Sequence, residues 1–173
     1  MKNNTHRIFW FFTIAAYMLI YSTVFSCKRD DDDDDDDNHP ASIKTNIEAI
    51  INGENWSAEK SKITAWDSKN GFYIKGTNNN NTQIILYMAS QPAASNHDLG
   101  TYGVDPYSAS YVDGLITYRT YQGSGTINIS KVELSDTGSV EIITGVFSFT
   151  AVDAATGKDT LWISEGSFAY IAE

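Results

Sequence analysis

The chain reads as all-β: a single antiparallel domain, a meander sandwich or flattened barrel, behind a signal peptide and a disordered acidic tether. Three observations predict this. After Ala41 no stretch keeps helical periodicity over three turns. Apolar and polar residues alternate in short runs, the period of half-buried strands. Turn signals recur at about the 8–12-residue spacing of sandwiches and barrels.

The elements follow in order. Ile43, Ile47, Ala49 and Ile51 fall on one face, with Lys44, Asn46 and Glu48 opposite. Asn52-Gly53 is a strong hairpin signal, and Trp56 and Ala58 share a face after it. Ile63 to Trp66 comes next, then a turn expected at Asn70-Gly71. Phe72, Ile74 and Gly76 alternate with Tyr73 and Lys75. Asn78 to Asn81 turns the chain again. The following strand sets Ile84, Leu86 and Met88 against Ile85 and Tyr87, apolar on both faces and so central. Gln91 to Asp98 reads as loop and Thr101 to Val104 as a short extended piece. Ser108 to Val112 leads into Asp113-Gly114, a second hairpin signal, and Leu115 to Tyr121 is extended. After Gly123-Ser124-Gly125, the apolar phase slips from Ile127 and Ile129 to Val132 and Leu134, which predicts a bulge near Lys131. The last two strands are the longest. Gly145-Val-Phe147-Ser-Phe149 and Gly166-Ser-Phe168-Ala-Tyr170 share a Gly-x-aromatic-x-aromatic form, expected of two paired strands filling one core.

Ahead of the domain the chemistry changes. Lys2 and Arg7 precede an almost wholly apolar run from Ile8 to Phe25, as in a secretory signal; a retained membrane anchor is the competing reading. Val24-Phe25-Ser26-Cys27 resembles the bacterial lipobox, with an aliphatic residue three before the cysteine and a small one directly before it. That resemblance implies cleavage after residue 26, diacylglycerol on the Cys27 thiol and an acylated (palmitate-type) amine. Several chains give stable anchoring, each buried CH₂ contributing ~0.8 kcal/mol. The boundaries are thus a signal peptide over 1–26, lipidated Cys27 with a linker over 27–40, and the all-β domain over 41–173. Lys28-Arg29 and Asp30 to Asp37 form a solvated, self-repelling linker. From Lys28 to Ala41 it reaches about 40 Å at ~3.3 Å per residue. Flexible aspartates lack the turned geometry of a calcium loop.

Charge excludes some partners. The chain carries a formal net charge of −10, and from Ala41 onward 14 acidic residues face 8 basic ones. Such a domain has no cluster of Lys and Arg for a phosphate backbone or an anionic lipid surface. The single cysteine is Cys27, so no disulfide holds the domain together.

Ile51-Asn52-Gly53-x-x-Trp56-x-Ala58, Gly100-Thr101-Tyr102, Ile143-x-Gly145-x-Phe147-x-Phe149 and Gly166-Ser167-Phe168 resemble, in order and spacing, a family of uncharacterised Bacteroidota outer-membrane lipoproteins. The resemblance covers nearly all of Ile47 to Tyr170. It implies that the acidic run after the cysteine is an address to the outer face of the outer membrane, and it transfers no catalytic residue. Asp159-Thr160-Leu161 resembles the short O-glycosylation motif of this phylum, which makes Thr160 a candidate acceptor.

Catalytic chemistry finds few candidates. His97 is the only histidine after Ala41 and lies beside Asp98 in a polar loop, where a histidine is usually solvated. A zinc site needs more ligands than this. Asp98, Asp105 and Asp113 are the carboxylates to consider for a glycoside-acting hydrolase, but Asp105 and Asp113 precede Pro106 and Gly114, where aspartate does turn work. No cofactor motif is present. Binding fits better. Tyr102, Tyr107, Tyr111, Tyr118 and Tyr121 lie in one loop-rich segment, and Trp66 and Trp162 sit opposite expected core positions. Exposed aromatics beside polar groups stack on sugars or grip a protein; buried ones simply fill a core. The expectation is a surface-exposed lipoprotein acting as a non-catalytic binding module, for glycans first and a surface protein partner second.

Overall fold

The alternation of Ile84, Leu86 and Met88 locates the core. In the computed structural model all three side chains are wholly buried, and their strand has neighbours on both sides. The structure describes residues 43–68, 71–88 and 92–173. The signal peptide 1–26, Cys27, the acidic linker to residue 40 and Asn70 lie outside the described residues. Ala41–Glu173 forms one compact unit.

Eleven strands are found among the described residues. They are β1 (Asn46–Ile51), β2 (Glu54–Ala58), β3 (Ile63–Ser68), β4 (Gly71–Thr77), β5 (Gln83–Met88), β6 (Asn96–Leu99), β7 (Ser108–Asp113), β8 (Ile116–Arg119), β9 (Gly125–Leu134), β10 (Val140–Asp153) and β11 (Thr160–Ile171). Every pairing is antiparallel. One 3-10 turn at Lys60–Lys62 is the sole helical element among the described residues.

Hairpins make most of the connections, and the strand order runs β2-β1-β11-β10-β8-β7-β5-β4-β3. The first strand pairs with the last, which ties the ends of the domain together. β10 is long enough to hold β11 along one edge and two strands along the other: β9 over Val140–Phe149 and β8 at Val152 and Asp153. The sheet forks there and folds over on itself into a nearly closed barrel or sandwich. The layers meet directly. Gly76 on β4 sits so close to Ile47, Trp56 and Ala58 that a Cβ would come within 2.9–3.3 Å of them. Trp56 Nε1 donates to Thr82 Oγ1 at 2.7 Å, which satisfies the one polar atom of a buried indole.

The two Gly-x-aromatic-x-aromatic segments pair reciprocally. Gly145 lies opposite Phe168, and Phe147 opposite Gly166. Each ring therefore lies over the other strand's glycine, and a Cβ on Gly166 would stand 2.4–2.6 Å from the Phe147 ring. The expected phase change on β11 is a bulge: Phe147 pairs with Gly166 but Phe149 with Ile163, and Glu165 takes a φ of 50°. A second bulge lies at Ser130–Lys131 on β9, where the slipped phase predicts it.

Three expectations need correction. Residues 96–98, read as loop, belong to β6, which pairs with β9. This edge strand is polar, with only Leu99 buried, so alternation gives it no signal. Thr101 to Val104, read as extended, is a turn in which Val104 N–H donates to Thr101 O, and Val104 is exposed. The β3–β4 turn comes one residue early: Ser68 already pairs with Gly71. Gly71 is a close-packing residue, because a Cβ there would lie 2.4 Å from the Tyr87 ring and Met88 O.

Candidate binding face

Strands β3, β4 and β5 turn one face to the core and the other outward, whereas on β7 both parities are buried up to Tyr111. Ile63, Ile74, Leu86, Ala109 and Tyr111 face inward. The outward parity then places Trp66, Tyr73 and Tyr87 in one row, because Trp66 pairs with Tyr73 and Tyr73 with Tyr87. Trp66 and Tyr73 stack with ring centres 5.0 Å apart and planes 5° from parallel. Tyr73 and Tyr87 follow at 4.8 Å and 45°. Trp66 is 41% exposed. It lies on β3, the last strand of the order, so one indole face rests on Tyr73 and no further strand covers the other.

The five expected tyrosines do not share a face. Tyr111 is buried, in cross-strand contact with Tyr118 at 6.2 Å, so it presents nothing to a ligand. Its parity on β7, opposite Ile84, sends it into the core. Tyr118 packs against the core too, and its hydroxyl is pushed above the usual tyrosine range by burial and then by the carboxylates of Asp159, Asp153 and Asp113. Tyr107 also packs inward; burial raises its pKa, and a bond to the Ala93 backbone partly offsets that. Tyr102 is half-buried beneath Arg119, whose guanidinium carbon stands 5.1 Å from the ring centre. Tyr121 is exposed by itself in the turn before β9. Of the expected ligand residues, Trp66 has the most organised surroundings. Tyr73 and Tyr87 complete its row, and the sequence reading missed them. Their signal was the hairpin register, obscured by placing the turn at Asn70-Gly71.

The remaining candidates scatter. His97 stacks on Tyr107 at 3.7 Å, and its Nε2 lies 2.8 Å from Ser95 Oγ and 3.2 Å from Ala93 O. It fastens β6 to the segment before β7. Asp105 accepts a hydrogen bond from Thr101 N–H, which is turn chemistry. Asp113 closes the far end of β7, about 17 Å along the strand from Ser108 at ~3.4 Å per residue. Asp105 lies in the turn that precedes Ser108, at the other end of that strand. Among the described residues, no three His, Cys, Asp or Glu side chains gather to hold a metal ion. Thr160 is exposed at the start of β11, and Trp162 is 66% exposed on the same strand.

A groove of about 770 Å³ lies where β3 approaches the C-terminal end of β11, lined by Ile63, Ala65, Tyr170 and Ile171 and bridged by a Lys60–Glu173 ion pair at 2.8 Å. Its rim is polar, with Glu59, Lys60 and Glu173.

No curated protein and no solved structure matches the chain. A family model described as a domain of unknown function, DUF6252, matches residues 44–172, and the chain belongs to that family.

Proposed function

We propose that this protein is a lipid-anchored cell-surface lipoprotein whose β-domain binds glycans without catalysis. The Trp66–Tyr73–Tyr87 row carries the reading. An indole stacked on one side and open on the other offers a pre-ordered apolar plate to the C–H face of a sugar ring, and little side-chain entropy is lost on binding. The polar neighbours Thr64, Lys75, Thr77 and Gln83 share that face and supply hydrogen bonds to hydroxyls. The lipobox resemblance and the acidic linker support the anchor at Cys27 and the outward address on the outer membrane.

Affinity electrophoresis of the full chain through gels containing neutral and acidic polysaccharides tests the binding. Retardation that Trp66→Ala abolishes supports it; equal retardation of both proteins would falsify it. Fatty-acid labelling tests the anchor, and a Cys27→Ala protein that still labels removes it.

A second reading, docking to a surface protein, rests on the β7–β8 hairpin tip. Leu115 is fully exposed there and Ile116 half-exposed, an apolar pair at the end of a rigid ribbon. Co-purification of one defined partner, lost on Leu115→Ser, would favour it.

A further inference from the structure

Charge is not spread evenly over this domain. Acidic residues outnumber basic ones 14 to 8 from Ala41 onward. Yet the outward positions of β3, β4 and β5 include Lys75 and no carboxylate. Lys75 stands two residues from Tyr73 on the same face, about 6.5 Å along the strand. Its cross-strand neighbours are Thr64 and Ile85, both uncharged. The ion pairs found among the described residues join Lys60 to Glu173 and Lys131 to Glu133, leaving Lys75 without a carboxylate partner there. Arg119 lies three strand spacings farther, about 14 Å across the sheet and beyond the buried Ser110, so Lys75 is the cation beside the aromatic row.

From this we infer that the glycan taken by this face is anionic, a polysaccharide bearing uronic acid carboxylates. The inference rests on the glycan reading above. A sugar stacked on Trp66 brings the carboxylate of a neighbouring unit over the Lys75 ammonium, and no protein carboxylate on that face repels it. The acidic remainder of the domain repels the same polymer, so it binds at this face and not at random.

The test compares polygalacturonate, its carboxyl-reduced neutral form and dextran sulfate, by affinity electrophoresis and by quenching of tryptophan emission in the detergent-solubilised full chain. Polygalacturonate is expected to bind and its reduced form to bind about tenfold more weakly, the worth of one charge-assisted contact. Lys75→Gln should erase that difference and flatten the salt dependence, while Trp66→Ala loses binding to both. Equal binding of the two forms, or a difference that survives Lys75→Gln, overturns the anionic assignment and leaves the glycan reading standing. Dextran sulfate bound as tightly and insensitive to Trp66→Ala would reduce the effect to ion exchange and overturn it as well. Binding to none of the polymers overturns both.

Discussion

Two aromatic arrays are built on the same domain by the same device, cross-strand pairing, and they end in opposite places. On β10 and β11 the rings of Phe147 and Phe168 point inward, and each lies over a glycine of the partner strand. On β3, β4 and β5 the rings of Trp66, Tyr73 and Tyr87 point outward and lie against one another. The inner array has no room to spare; the outer one is open on one side. Burying a ring in a filled layer requires its opposite number to be small. An exposed ring has no such need, so an aromatic opposes an aromatic and a stacking face is left over. Glycine meets a ring in both arrays, Gly145 and Gly166 in the inner and Gly71 beside Tyr87 in the outer, so the exposed indole of Trp66 is what separates them.

The largest expected effect lies in the inner array. Gly166→Ala pushes a methyl into the Phe147 ring, and overpacking of this kind costs about 1–3 kcal/mol. Gly145→Ala should match it, since its Cβ would meet both the Phe168 ring and Asn128 O. Urea melts read the loss as a lower midpoint at unchanged slope. If both variants melt like the parent, the rings do not fill that layer.

Next comes the polar atom buried with the core. Thr82→Val keeps the shape but leaves Trp56 Nε1 without its acceptor, and an orphaned buried donor costs about 1–3 kcal/mol. Thr82→Ser keeps the hydroxyl and should recover most of the loss. Failure of Ser to rescue would mean that the methyl, not the bond, was responsible.

Acid separates the arrays from the turn that joins β10 to β11. Neither array contains a carboxylate. Asp153 does the work at that turn: its side chain accepts from Thr156 Oγ1 at 2.7 Å and from Ala155 N–H at 2.9 Å, and these bonds hold its pKa below the usual carboxylate range. A depressed pKa means that the unfolded chain binds the proton more readily. The stabilisation is therefore complete above the ordinary aspartate pKa and is lost as pH falls through the lower folded value. Asp153→Asn should remove that part of the acid slope, as measured by melting temperature against pH, without changing the Trp66 emission.

How far these features were legible depends on parity. The core was readable where apolar residues alternate against polar ones, as at Thr126–Ser130, and Ile84–Met88 was readable as a central strand because both of its faces are apolar. β6 was not, because Asn96, His97 and Asp98 carry no apolar period and the strand exists through its pairing with β9. The tyrosine segment misled for a related reason. Tyr107, Tyr111 and Tyr118 lie close in sequence to loops but take inward positions fixed by neighbouring strands. Trp66 was legible as an outward residue. Its partners were not, since a turn displaced by one residue places Trp66 opposite Lys75 instead of Tyr73.

The smallest effect on stability belongs to the outer array, and it decides the comparison. Trp66→Ala removes one exposed cross-strand aromatic pair, worth roughly 0.2–1 kcal/mol. The strand keeps its hydrogen bonds to β4, and Tyr73 keeps its contact with Tyr87. Stability should therefore barely move, while glycan binding disappears. A variant that loses both together would show that the outer rings hold the sheet as the inner ones do, and the two arrays would then differ only in exposure. Trp66→Phe sharpens the result, because a smaller ring preserves the stack on Tyr73 and shrinks only the open plate. It should leave the melting midpoint at the parent value and weaken binding part of the way toward alanine.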